Sequence, residues 1–252
     1  MTTFLAPLPR LEGVTELLDR PDNSGAEIEG SLRDLELLNR CFGGLRTILL
    51  HLGRLIEQRP GAPFTVLDIA TGGADVPRAI CRWARRRGLA VQIEAVDRSD
   101  RAVAAATRWS ARYPEIRLRQ AEAPPLSYLD RSFDYVIASL FLHHLTEAQG
   151  ISLLREMHRV ARCGVIVNDL RRSRPARILT ALATHVLSRN RLTRHDGPVS
   201  ILRGFRPKEL QRMAALAGLP EVSVASHPWF RIALVAEILP RSRDPRGRAR
   251  AR

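Results

Sequence analysis

The apolar positions of this chain change period as it is read from the N-terminus. From Leu35 through Leu37, Leu38, Cys41 and Phe42, and again from Leu45 to Ile56, they recur every three or four residues. That is the spacing of one helix face, and it predicts helices over residues 31–40 and 45–56. Residues 1–30 are punctuated by Pro7, Pro9, Pro21, Gly25 and Gly30, and Pro60-Gly61-Ala62-Pro63 stops the second helix. At Phe64 short apolar runs begin. Strands are predicted over 64–70, 91–96, 116–118, 133–139 and 165–169, with helices over 74–87, 101–113 and 147–161 between them. Strands separated by helices of about 10–15 residues imply parallel βαβ units with right-handed crossovers.

Further on, an arginine-rich helical stretch over 178–187 leads into a polar loop through Arg194-His195-Asp196-Gly197-Pro198. A helix over 207–217 closes at Gly218. Strand patterns over 222–226 and 230–236, separated by His227-Pro228-Trp229, are close enough to pair antiparallel. The sum is an α/β fold: a Rossmann-like, doubly wound, mostly parallel seven-stranded sheet with an antiparallel last strand, N-terminal helices and an inserted helical cover. The expected divisions are an N-terminal helical extension over 1–62, a main domain over 63–240 with the cover at about 171–206, and a disordered basic tail over 241–252.

Composition adds little to that picture. The chain has 252 residues, 45% of them hydrophobic, with 40 Lys+Arg against 26 Asp+Glu and a formal charge of +14. Only Lys208 is a lysine, a bias that reads as GC-rich coding, and the tail carries six arginines and one aspartate. Cys41, Cys81 and Cys163 are odd in number and far apart, which excludes a disulfide framework and any zinc pattern of paired cysteines. Met1-Thr2-Thr3-Phe4-Leu5 has no basic region leading into an apolar one, and no apolar run nears the roughly 18 residues of a membrane span. A cytoplasmic, reduced protein is expected.

The most informative segment is Val66-Leu67-Asp68-Ile69-Ala70-Thr71-Gly72-Gly73-Ala74-Asp75, where the first strand gives way to the next helix. Small residues let the backbone turn tightly against a ligand, and the helix start offers free N–H groups. A nucleotide-containing cofactor is the simplest occupant; a plain strand-to-helix turn is the alternative. Asp97 ends the second strand, where a carboxylate can accept both ribose hydroxyls. Glu122-Ala123 follows the third, and Ser132-Phe133-Asp134-Tyr135-Val136-Ile137-Ala138-Ser139 runs into Leu140-Phe141-Leu142-His143-His144-Leu145.

In these motifs, over residues 64–236, the chain resembles the class I S-adenosylmethionine-dependent methyltransferases. It is most similar to the branch with ubiquinone/menaquinone-type and other small-molecule enzymes. The resemblance implies S-adenosylmethionine as cofactor and S-adenosylhomocysteine as product. Asp68, Ala70, Thr71, Gly72, Gly73 and Asp75 would hold the methionine end, Asp97 with Arg98 the ribose side, and Glu122 with Ala123 the adenine. Ser139 and Leu140 would lie under the sulfonium. The family loop has glycine at three alternating positions, here Ala70, Gly72 and Ala74. A dinucleotide oxidoreductase fits less well, since its third glycine falls on Asp75, which would repel pyrophosphate.

The acceptor side is expected at the same edge. An imidazole has an unperturbed pKa near 6.5, so His143 or His144 is the candidate general base, with capping or packing as the competing role for each. Asp169 could orient an imidazole or accept a substrate hydroxyl, with pairing to Arg171 or Arg172 as the competing role. Asn168, Arg171, His195 and Arg203 are candidates for the acceptor pocket. No metal is expected, because few carboxylates converge and the histidines lack zinc-like spacing.

These expectations combine as O-methylation of a small phenol or quinol, with C-methylation of a quinol or polyketide ring as the alternative. An RNA-binding or RNA-modifying protein using the basic tail is a reading of another class. Aromatics at 5% and the absence of an aromatic-interleaved basic stripe oppose it. Weak peripheral membrane contact through the tail is compatible with the charge, as is a monomer or a homodimer.

Overall fold

The computed structural model describes residues 8–57 and 62–238. The expected basic tail, and the Pro60-Gly61 stop, lie outside the described residues. The chain opens with a 3-10 turn at Leu17–Asp19, followed by α1 (Gly25–Cys41) and α2 (Gly44–Glu57). Helix α1 begins six residues before the start expected at residue 31, because Ser24 and Glu27 form a reciprocal capping box.

The βα alternation then runs β1 (Phe64–Ile69), α3 (Asp75–Arg85), β2 (Val91–Asp97), α4 (Asp100–Trp109), β3 (Ile116–Gln120) and β4 (Phe133–Ser139). A 3-10 turn at Leu142–His144 precedes α5 (Glu147–Val160), which passes directly into β5 (Ala161–Leu170). Next come α6 (Arg174–Leu187), α7 (Arg191–Arg203), α8 (Pro207–Ala217), β6 (Val222–His227) and β7 (Arg231–Glu237). The sheet has seven strands in the order β3-β2-β1-β4-β5-β7-β6. Strands β1 to β5 pair in parallel, and β7 lies antiparallel to both β5 and β6.

Successive strand residues alternate between the two faces. Leu67, Val136, Ala138, Val165 and Val167 pack with Leu153, Leu154 and Met157 of α5 and Leu210 and Met213 of α8. On the other face, Val66, Tyr135, Ile137 and Ile166 pack with Ile48, Leu52 and Leu55 of α2 and Ile80 and Trp83 of α3. Each such buried Leu or Ile contributes roughly 1.5–3 kcal/mol. Helix α2 therefore shares the core of the sheet, while α1 places Ile28 and Leu32 on Ala102 and Ala105 of α4.

The expected polar loop through 194–198 is instead helical. Asn190 caps α7 through its side chain, and the helix continues past Pro198. Thr193, Asp196, Ser200 and Arg203 are buried rather than solvated: the Asp196 carboxylate accepts from the Leu17 and Leu18 amides at 2.8 Å, and the Ser200 hydroxyl donates to Glu16 at 2.9 Å. A polar pattern read as loop was a helix facing polar partners on the N-terminal segment. Among the described residues, no helix is long and apolar enough to cross a membrane.

Candidate active site

The sheet order reverses between β1 and β4, so their carboxyl ends diverge and open a crevice. A cavity of about 510 Å³ lies there. Asp68, Ala70, Thr71, Gly72, Gly73, Asp75, Asp97, Arg98, Glu122, Ala123, Ser139 and Leu140 all line it. Local backbone geometry explains the loop. Ala70, Gly72 and Ala74 all have positive φ, of 55°, 52° and 58°. Two of these three are alanine, held in the left-handed region at a cost of roughly 1–2 kcal/mol each. Gly73 is required for another reason, since a Cβ there would lie 2.9 Å from the Trp109 ring.

The charges of this cavity are unusual. Burial pushes the Asp68 carboxyl up to about 8, against the hydrogen bond it accepts from the Thr71 hydroxyl at 2.6 Å, with Asp75 and Asp97 adding to the rise. Burial also raises Asp75 and Asp97, although Asn39 donates to the first and the Gly72 and Ser99 amides to the second. Three acidic groups pushed up in one cavity favour a cationic ligand over an anionic one. S-adenosylmethionine brings a sulfonium and an ammonium, so the residues present fit it, whereas a pyrophosphate would face like charge. A consequence follows for binding. A cation lowers the pKa of Asp68, so cofactor binding near pH 7 should release protons, up to about one per site for this group alone. Calorimetry in two buffers of different ionisation enthalpy should give different observed heats; identical heats would contradict the assignment.

A second, mostly apolar cavity of about 440 Å³ lies beside the first. Leu18, Leu35, Leu140 and His144 line both. His143 lines only the second and is 2% exposed. Its Nδ1 lies 2.6 Å from Asp169 and its Nε2 3.5 Å from Glu16. Burial alone would strip the His143 proton, but these two carboxylates outweigh it and raise the pKa to about 10. Asp169 is held below its usual range despite its burial, by the His143 ring and by the amides of His143 and Leu170. The carboxylate is thus fully engaged.

His144 is arranged differently. Its Nδ1 lies 2.9 Å from Asp19, which Arg98 also holds at 2.6 Å, and its Nε2 lies 3.6 Å from Glu16. Burial would raise Asp19, yet His144 and Arg98 bring it to about 2. Glu16 is likewise lowered against burial by His143, His144 and the Ser200 hydroxyl. Arg203 fastens the turn, donating to the His143 carbonyl at 3.1 Å and the His144 carbonyl at 2.8 Å.

The remaining sequence candidates lie further out. Asn168 is buried and donates to the Ser139 hydroxyl at 3.0 Å, outside the lining of both cavities. Arg171 lies over the Phe230 ring, and His195 is half exposed beside Asp196; neither lines either of these two cavities. Arg203 lines the first cavity. Sequence reasoning missed Glu16, Asp19 and Asn39, which no motif marks and which only the folding back of the N-terminal segment brings to the site. Glu16, His143 and His144 place one ligand atom each within 4.8 Å of one another, a cluster that spacing along the chain could not reveal.

Comparison with known proteins agrees with this geometry. A family profile described as a methyltransferase domain matches residues 66–164. Over those residues, less than half of the chain, the protein is similar to a methyltransferase domain. Two demethylmenaquinone methyltransferases of Staphylococcus epidermidis strains are each 31% identical over 109 residues, which cover 43% of this chain and 43% of theirs. The match thus spans less than half the length of these relatives. Among solved structures, a SAM-dependent methyltransferase from Aquifex aeolicus superposes with a TM-score of 0.57 at 17% identity, over 86% of this chain and 100% of the other. A putative O-methyltransferase from Nostoc punctiforme gives 0.62 at 19%, over 90% and 64%. At these identities the structures show a shared fold.

Proposed function

We propose that this chain is a methyltransferase that uses S-adenosylmethionine to methylate a hydroxyl oxygen of a small phenol or quinol, with His144 as general base. The observation that carries the reading is the position of His144. It lies where the carboxylate-lined cavity meets the apolar one, with Asp19 on its Nδ1. The relatives named as methyltransferases of demethylmenaquinone support a quinone-derived acceptor.

The bound cofactor supplies an electrophilic methyl group on a sulfonium. The chain does the rest by placement. In the neutral His144 ring the proton faces Asp19, the nearer carboxylate at 2.9 Å, and Nε2, 3.6 Å from Glu16, offers its lone pair to the acceptor hydroxyl. As the oxygen takes the methyl group, its proton passes to Nε2. The imidazolium so formed is flanked by Asp19 and Glu16, which stabilise it. His143 cannot share this role near neutral pH, because its proton is already held between Asp169 and Glu16. It positions Glu16 and the turn instead.

The test is a panel of phenols and quinols incubated with cofactor bearing an isotopically labelled methyl group and read by mass spectrometry and NMR. Label on oxygen is expected. Label on a ring carbon would replace the oxygen reading with the carbon one, and no label on any acceptor would remove the phenol class. In this reading the cluster of Glu16, His143 and His144 is balanced by protons, so dialysis against a chelator should leave turnover unchanged. Loss of turnover restored by a divalent cation would contradict that.

A further inference from the structure

The second cavity extends well beyond the junction at which a hydroxyl would react. Its far wall is built from Leu38 of α1, Leu179, Leu182 and Val186 of α6, and Trp229 in the β6–β7 turn. Four of these are also open to solvent: Leu179 is 48% exposed, Leu182 60%, Val186 72% and Trp229 58%. Positions 179, 182 and 186 follow helical spacing, so one stripe of α6 runs from the cavity interior out across its mouth. Single exposed apolar residues are ordinary, but a continuous row joined to an apolar cavity marks a place for an apolar ligand.

Several polar groups in the wall are turned to other uses. The Thr184 hydroxyl donates to the Ala181 carbonyl at 3.1 Å, and the Asp196 carboxylate is taken up by the Leu17 and Leu18 amides. Arg231 keeps a buried Nη1 without a hydrogen-bond partner, and the cavity lining is otherwise mostly apolar. At about 440 Å³ the cavity also suits a whole small-molecule ligand, and a single phenol ring at the junction would leave most of the apolar wall uncovered.

We infer that this cavity binds the hydrocarbon chain of an amphiphilic acceptor. The hydroxylated ring sits at His144 and Leu140, and the chain runs along the Leu179–Val186 stripe to leave between α6 and Trp229. The inference rests on the proposed transfer at His144, and it makes the acceptor a chain-bearing phenol or quinol rather than a simple soluble one.

A series of alkylphenols from methyl to pentadecyl tests it. Dissociation constants are measured on the protein loaded with S-adenosylhomocysteine, below the self-association limit of each phenol, so that binding is read without turnover. Affinity should rise about fourfold for each fully buried methylene and then level off where the chain leaves the mouth. A Leu182→Asn/Val186→Asn double variant, whose positions are more than half exposed and whose folding is checked by its melting temperature, should flatten the rise. Affinity independent of chain length, or a rise of equal slope in the double variant, would overturn the chain site. The two readings fail separately. Tighter binding of long chains with no methylation at all leaves the chain site and removes the transfer reading. Methylation at the same KM for every chain length does the reverse.

Discussion

Replacing Asp97 by alanine should weaken binding of S-adenosylmethionine by about 100-fold to 10,000-fold. Asp97 ends β2 and lines the first cavity, where the Gly72 and Ser99 amides fix its carboxylate at 2.8 and 2.9 Å. The two hydrogen bonds that ribose hydroxyls would donate to this carboxylate, at roughly 1.5–3 kcal/mol each for a charged acceptor, set the range. The loss has a second source. Without the carboxylate, the Gly72 amide no longer ties the loop carrying the left-handed Ala70, Gly72 and Ala74 to β2. Isothermal calorimetry reads the outcome directly, and an unchanged dissociation constant would remove Asp97 from the cofactor site.

The second large effect is expected at the histidines, and it separates two residues that the sequence leaves equivalent. His144→Ala should lower kcat by about 100-fold to 10,000-fold, the span of general-base catalysis, while cofactor affinity stays near wild type. His143→Ala should act mainly on stability. It leaves Asp169 and Glu16 buried with no cation between them, and breaking a buried pair in this way costs about 3–5 kcal/mol. Thermal melting and steady-state kinetics on both variants check the division. A His143 variant that melts normally but loses turnover, with His144→Ala fully active, would reverse the assignment.

Much of the fold was legible because it is written locally. The short apolar runs at Phe64, Val91 and Phe133 are strands in the sheet, and the small-residue loop at Ala70–Ala74 forms where a strand end meets a helix start. The cofactor candidates are all neighbours of strand ends, so chain order alone brought them together. The acceptor side was less legible. Glu16 and Asp19 lie more than 120 residues from the histidines they hold, in a segment with no periodic pattern. Helix α7 was hidden because burial of Asp196 and Ser200 against polar partners erases the apolar stripe by which a helix is recognised. The difference between His143 and His144 is likewise tertiary, since it depends on which carboxylate meets each ring.

His144 is proposed to take the acceptor's proton at the meeting point of the two cavities. This role is tested most directly by pairing His144→Ala with two phenols of similar shape, one neutral at the assay pH and one acidic enough to be already ionised. The variant should be severely slowed on the neutral phenol and nearly as fast as wild type on the ionised one, because the latter needs no base. Equal slowing on both phenols would show that His144 places the acceptor without receiving its proton, and would contradict its role as base.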